Sequence, residues 1–291
     1  MVEDRKLGNR MFSAANYLLL TLIALITILP FIHIVAGSFT TNAELAAKKF
    51  VLIPTQWSFD AYTFIFSTNT IMRAMAVSVG VTLFGTLFSM LLTSLMAYGL
   101  ARRDLDGRLF LNLFVVITML FHGGLIPTFI VVKNLGLINS YASLILPAAI
   151  SAFNMIILRS FFQNIPDGLE ESARIDGCSD FGTLFRIVLP LSMPALATIS
   201  LFYAVTYWNT YSNAIFYLTD SDKWPIQVLL RQIVVLASGF ESDSSLDSTV
   251  PPPDQAVKMA VIVVSTLPIL IVYPFLQKHF AKGALVGSIK G

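Results

Sequence analysis

The chain has 291 residues, 56% hydrophobic and 12% charged, and a mean hydropathy of +0.75. Soluble domains carry about 25% charged residues, so a soluble globular fold is excluded in favour of an all-α polytopic membrane protein. The net charge of +2 gives no reason to invoke nucleic acid, and the single cysteine, Cys178, leaves neither a disulfide framework nor a thiolate cluster for a metal.

The N-terminus, MVEDRKLGNRMF, is basic, and the apolar run behind it is longer than a signal-peptide core. No small-residue cleavage site follows, so it is read as a retained first span. A span needs about 20 apolar residues. Six runs qualify: Ala14–Gly37, Ala74–Leu100, Leu109–Val132, Tyr141–Phe162, Leu191–Leu218 and Ala256–Leu276. The second is ambiguous at its start, where Ile71–Val81 is amphipathic. In the third, FHGGLIP (Phe121–Pro127) predicts a broken or kinked helix, tolerated in a membrane only where it lines protein or a cavity. His122 sits there, either as a hydrogen-bonded structural group or as a ligand contact.

Lys and Arg placement sets the orientation. Arg5, Lys6, Arg10, Arg102, Arg103, Arg108, Arg159, Arg174, Arg186, Lys278, Lys282 and Lys290 fall on one side, twelve of the 19. Lys48, Lys49, Arg73, Lys133, Lys223, Arg231 and Lys258 fall on the other. The majority side is expected to be cytoplasmic, with both termini on it. Among the outer segments, Ser38–Thr70 suggests a short interfacial helix anchored by Pro54, Trp57, Phe59 and Tyr62, or else a packed loop. Lys133–Ser140 reads as a tight turn. Thr219–Gln255 carries Glu241, Asp243, Asp247 and Asp254 and a Pro251–Pro253 run, the pattern of a solvated loop.

The spans hold no acid. Arg159 and Lys258 lie near span ends, where long side chains can snorkel, and His33 and His122 are the ionisable groups further in. Ion-coupled pumps usually need intramembrane acids or histidine chains, so a stand-alone secondary transporter or channel is the weaker alternative. The polar groups within the spans are neutral. In the fifth run, TYWNTYSNAIFY pairs Tyr207 with Tyr211 and Asn209 with Asn213, each four apart, and Trp208 with Tyr211. On one helix these form neighbouring stripes. Amide and phenol groups suit sugar hydroxyls while ring faces cover the sugar's C–H surface; the same residues also serve as helix–helix glue and an aromatic belt. Tyr207, Trp208, Asn209, Tyr211 and Asn213, with His122 and Asn154, are the substrate-path candidates. There is no G-x-x-x-x-G-K-[ST], H-E-x-x-H or G-x-S-x-G motif, which argues against an intramembrane enzyme and against a nucleotide site on this chain.

Against this background Ile165–Pro190 is a polar island, with Asp167, Glu170, Glu171, Arg174, Asp176, Asp180 and Arg186 between two apolar runs. Lipid cannot solvate such a charge density, so the segment lies outside the bilayer. Asp167 can cap a helix with Glu170 three residues on, Glu170 and Arg174 can pair, and Gly177 suits a left-handed helix end. Ser179 or Asp180 can cap a second helix running toward Pro190. The island reads as a rigid helix–turn–helix knob.

Glu171-Ser172-Ala173, three residues, Gly177, nine residues, then Ile187-Val188-Leu189-Pro190 resembles the EAA motif of permease subunits of bacterial ABC importers, departing at Ser172 where alanine is usual. The resemblance runs from the first span to the C-terminus and is to the carbohydrate branch, akin to the maltose importer's smaller permease. Phe121–Ser140, WNTYSNAIFYL and the terminal KGALVGSIKG resemble its oligosaccharide and polysaccharide group, including lipoprotein-type, pectin-fragment and alginate importers. The resemblance implies a type I importer permease fold with six transmembrane helices and a coupling helix over about Leu169–Asp180. Residues 1–70 would be tail, first helix and outer loop, 71–276 the core transmembrane domain, and 277–291 a cytoplasmic tail reaching the ATPase dimer interface. It implies a bacterial plasma (inner) membrane location and, as partners, a second related permease, two ATP-binding cassette subunits, an extracytoplasmic solute-binding protein and a sugar. ATP and Mg would be bound by the partner subunits, with no cofactor on this chain. Glu170, Glu171, Ser172, Ala173, Arg174, Asp176 and Gly177 would dock the ATPase. A cargo of amino acids or ions in the same importer class is the alternative.

Overall fold

The computed structural model describes residues 7–48, 50–121, 123–237 and 254–288. His122, Lys49, the Glu241–Asp247 acids with Pro251–Pro253, and residues 289–291 lie outside the described residues. The described chain is helical, with one isolated antiparallel bridge between Thr40 and Trp57. Three helices are long and apolar enough to cross a membrane: Met11–Ser38, Asn69–Ala101 and Gln255–Val272. Three bent pairs bring the total to as many as six, in agreement with the six apolar runs.

The chain forms two compact units. The first comprises residues 1–69 and 230–266. Helix α1 (Leu7–Ser38) carries its apolar side chains outward almost throughout, Met11 through Val35 included. Two short helices follow, α2 (Asn42–Ala47) and α3 (Asp60–Ser67). The expected interfacial helix therefore starts later than the aromatics suggest: Trp57 and Phe59 precede it, and Phe39 packs against Trp57, Phe59 and Tyr62. The loop between α2 and α3 is organised by a buried carboxylate. Glu44 accepts from Lys48 Nζ (2.8 Å), Thr55 Oγ1 (2.7 Å), Thr40 Oγ1 (3.1 Å) and the backbone N–H groups of Thr55 and Gln56. Its side chain is 4% exposed. These bonds, Lys48 foremost, hold its carboxyl well below the usual range. His33 stacks on Phe50 and meets the Val51 backbone through Nδ1.

The second unit comprises residues 70–229 and 267–291. Helix α4 (Asn69–Ala101) is 33 residues long. The buried stripe of α4 is rich in small and hydroxylated residues, Ala74, Ser78, Gly85, Ser89, Thr93, Ser94 and Ala97, with Ile71, Val81, Tyr98 and Leu100 among them. The bulky Leu83, Phe84, Leu87 and Leu91 face outward. That inversion is what lipid favours, since packing rather than water exclusion holds helices together there and small residues permit close approach.

Helices α5 (Arg108–Leu120) and α6 (Leu125–Asn134) are separated at the glycine pair, where Gly124 has φ +85°, as the FHGGLIP pattern predicts. The fourth apolar run is also broken. Helix α7 (Ala142–Ile145) runs through a 3₁₀ turn containing Pro147 and is bent by 53° from α8 (Ala152–Gln163). Proline removes one donor and displaces the helical ladder, and the orphaned groups find side-chain partners. Tyr203 Oη accepts from the Ser151 N–H (2.9 Å) and lies 2.7 Å from Thr93 Oγ1. Tyr207 Oη donates to the Ile145 carbonyl (3.2 Å) and lies 2.7 Å from Ser89 Oγ. Both tyrosines are buried on α12 (Met193–Trp208). One turn apart, they form two rungs to α4. Gly85 lets the Tyr207 ring come close, for a Cβ there would lie 2.8 Å from it. Arg159 on α8 turns to Asn112 of α5 rather than extending along the span.

The expected single fifth span, Leu191–Leu218, is corrected. Helix α12 ends at Trp208, and α13 (Ser212–Tyr217) starts after a break at Asn209–Tyr211. The Val205 carbonyl accepts from both the Asn209 main-chain N–H (3.0 Å) and the Asn209 side chain (2.9 Å) at the last turn. Helix α14 (Ile226–Ala237) follows, its first N–H donating to Ser78 Oγ (2.8 Å), and α15 (Gln255–Ser288) continues twelve residues past the expected span end at Leu276.

Replacing Tyr203 by phenylalanine leaves the Ser151 N–H and the Thr93 hydroxyl without their partner. Unmade buried hydrogen bonds cost about 1–3 kcal/mol. Thermal unfolding in detergent is therefore expected to show a clear fall in midpoint for Tyr203→Phe, while Tyr17→Phe at an exposed position stays within about 0.5 kcal/mol of wild type.

Candidate functional site

The polar island folds as the expected helix, glycine turn and second helix. Helix α9 covers Asp167–Ile175. Asp167 is its first residue rather than the cap; Pro166 takes the flanking position (φ −58°), where its restricted φ sets the entry of the chain. At the other end the Cys178 N–H donates to the Ala173 carbonyl (2.8 Å) and the Gly177 N–H to the Arg174 carbonyl (3.0 Å). This is the Schellman pairing, which requires a left-handed residue, and Gly177 has φ +78°. Ser179, not Asp180, caps the next helix: its Oγ accepts from the Gly182 N–H (3.2 Å). The second helix is α10 (Asp180–Thr183). It passes through a π turn at Leu184–Val188 into α11 (Leu189–Leu191), and the whole piece is bent by 88° from α12.

Of the expected docking residues Ala173 is buried, while Glu171, Ser172, Arg174, Asp176 and Gly177 are exposed and Glu170 is half-buried. The Ser172 hydroxyl, the departure from the usual alanine, donates back to the Gly168 carbonyl (2.8 Å) and so leaves the helix surface undisturbed. On this charged segment Ile175 is 87% exposed and Phe181 67%. Glu170, Glu171 and Arg174 also line a cavity of about 410 Å³ with Arg102, Arg103, Arg108, Phe162 and Gln163.

Sequence reasoning missed the charges that fasten the segment. Arg102, the residue after α4, forks onto Asp104 through Nε (2.9 Å) and Nη2 (2.6 Å), and its Nη1 bonds Asp180. Arg174 Nη2 joins Asp104 (3.3 Å) and reaches toward Asp180 (3.9 Å). Exposed ion pairs taken singly contribute about 0–1 kcal/mol, but forked geometry and networks do better. Arg102 is 17% exposed. Its guanidinium holds the Asp104 carboxyl well below the usual range, and Asp104 in turn raises Arg102. The signal available in the sequence was the alternation Arg102-Arg103-Asp104-Leu105-Asp106, which has no fixed partner until the chain is folded.

The substrate-path candidates are dispersed. Tyr207 and Trp208 are buried, the former in the rung to Ser89. Asn154 is buried at the start of α8. Asn209 is exposed, and Tyr211 and Asn213 are half-buried across the break. The single helical stripe expected of Tyr207 through Asn213 does not form, because the helix ends between its members. Among the described residues no group of three or more His, Cys, Asp or Glu side chains is placed to hold a metal ion.

Comparison with known proteins follows the same lines. The family described as "Binding-protein-dependent transport system inner membrane component" matches residues 89–286. The polygalacturonan/rhamnogalacturonan transport system permease protein YtcP of Bacillus subtilis (strain 168) is 65% identical over 97% of this chain and 99% of its own. Protein LplC of the same organism is 52% identical over 98% and 96%. A chain of the crystal structure of a bacterial ABC transporter involved in the import of the acidic polysaccharide alginate superposes with a TM-score of 0.88, at 31% identity, covering 96% of this chain and all of that one.

A β-carbon in the left-handed region costs about 1–2 kcal/mol, and nothing within 4 Å crowds Gly177. Gly177→Val is therefore expected to weaken the α9 cap through conformation alone, with Gly177→Asn close to wild type. Amide exchange of Asp176–Cys178 in the detergent-solubilised chain reads the difference.

Proposed function

The chain belongs to the family of binding-protein-dependent transport system inner membrane components, and from this we propose that it is the permease subunit of an ATP-driven importer of uronate-containing oligosaccharides. The observation that carries the reading is the rigidly capped helix α9, which presents Ile175 and the Glu171 carboxylate to a partner. The resemblance to a galacturonan permease across almost the whole chain, and to an alginate importer in fold and sequence, supports an acidic sugar as cargo. The higher identity favours galacturonate fragments over alginate.

In this reading the majority-basic face is cytoplasmic, both termini lie on it, and α9 with α10 is the coupling element received by an ATP-binding cassette subunit. A second permease completes the pathway, and an extracytoplasmic binding protein delivers the sugar. ATP and Mg are bound and turned over on the partner subunits; this chain contributes no catalytic group. Asn209, Tyr211 and Asn213, which stand at the helix break after α12, are the groups best able to meet a sugar. Tyr207 and Trp208 act by holding the break in shape.

The test is a tagged complex expressed with its neighbouring ATPase, second permease and binding protein. Glu171→Lys and Gly177→Arg are expected to lose the ATPase subunits on purification while inserting normally into membranes. Wild-type ATP hydrolysis in proteoliposomes should rise with binding protein and oligogalacturonate and stay flat with a neutral maltooligosaccharide. Uptake by this chain alone on an ion gradient would refute the reading.

A further inference from the structure

We infer that Arg102 is a positioning residue that locks helix α4 to the docking element, so that α4 moves with α9 as one body when the ATPase closes. This rests on the proposed coupling role of α9. Backward, α9 joins α8 through residues 164–166; the forward covalent route from α9 to α12 is indirect. It runs through α10, a π turn and the 88° corner at Ser192 before α12 begins. A corner of that kind absorbs displacement as bending. The polar route is short. The Arg102 N–H donates to the Tyr98 carbonyl (3.3 Å), so its main chain extends the last turn of α4. Its guanidinium then reaches Asp180 at the start of α10 directly, and α9 through Asp104 and Arg174. Planar, five-donor geometry lets one side chain hold two carboxylates at fixed angles, which a lysine cannot do.

Two further contacts close the frame. Tyr98, one turn back on α4, is buried with its ring edge-on to Phe162 at 6.5 Å, and Phe162 is near the end of α8 leading into α9. Within the span, the Ser89–Tyr207 and Thr93–Tyr203 rungs bind α4 to α12. Helix α4 is thus tied to the docking element at its end and to α12 along its length. The bend at Ser192 is bridged from outside instead of being left to flex. Removing Arg102 leaves the exposed face of α9 intact and opens the bridge.

The experiment uses the purified complex with its ATPase partners, otherwise free of cysteine. Cys178, in the turn that follows α9, takes one nitroxide and Leu91→Cys on the outer face of α4 takes the other. In the wild type the distance between labels is expected to be the same with and without ATP and vanadate. In Arg102→Met it should shift or split with nucleotide while the ATPase subunits still co-purify. Import of labelled oligogalacturonate per ATP hydrolysed should fall about tenfold, within the usual range of coupling between sites. Asp180→Asn removes only the direct arm of the contact and should show the same change in smaller degree, and the double variant should be no worse than Arg102→Met, since groups acting as one unit are not additive. A wild-type distance that changes with nucleotide overturns the inference, as does an Arg102→Met complex matching wild type in both readouts. A wild-type chain that retains no ATPase subunit overturns the coupling role of α9 and this inference with it.

Discussion

A membrane interior offers no water to a helix that breaks, so every backbone group released by a bend must be met by the protein itself. In the second unit that requirement falls on Tyr203 and Tyr207. Their hydroxyls take up the Ser151 N–H and the Ile145 carbonyl on either side of the Pro147 bend, and the same two oxygens tie α12 to Thr93 and Ser89 of α4. The small-residue stripe on α4 follows from this arrangement. Gly85 leaves room for a tyrosine ring that any side chain would push away, while Leu83, Phe84, Leu87 and Leu91 lie on the outer face.

Outside the spans the same chain uses full charges. Glu44 gathers Lys48, Thr55, Thr40 and the Gln56 N–H around one buried carboxylate and so folds the loop between α2 and α3. Arg102 gathers Asp104 and Asp180, with Arg174 beside them. The division is physical. Neutral hydroxyls can be buried in pairs at modest cost, whereas ionised groups need either solvent or several partners.

Much of this was legible from local pattern. The six apolar runs, the glycine break before α6, the left-handed Gly177 and the Ser179 cap each depend on residues within a few positions of one another. Ser172, where the motif usually has alanine, returns its hydroxyl to the Gly168 carbonyl of its own helix. The end of α12 was not legible: Asn209 lies in an apolar, aromatic stretch with no glycine or proline, and nothing local marks it as the residue where the helix stops. The stripe inferred from Tyr207 to Asn213 failed for that reason. Asp167 was misassigned by one position because Pro166 already fixes the entry.

The sequence by itself determined an all-helical membrane protein, the positions of its apolar runs and the shape of the polar knob between two of them, since hydropathy, capping and left-handed glycine act over one or two helical turns. Tertiary structure decided which polar groups serve packing and which remain available. Tyr207 and Tyr203 are 110 or more positions from Ser89 and Thr93, and Arg102 is 78 positions from Asp180. No local rule pairs residues at such separations. Only the folded helices bring them within reach, where an unmet hydrogen bond or charge would be too costly to leave.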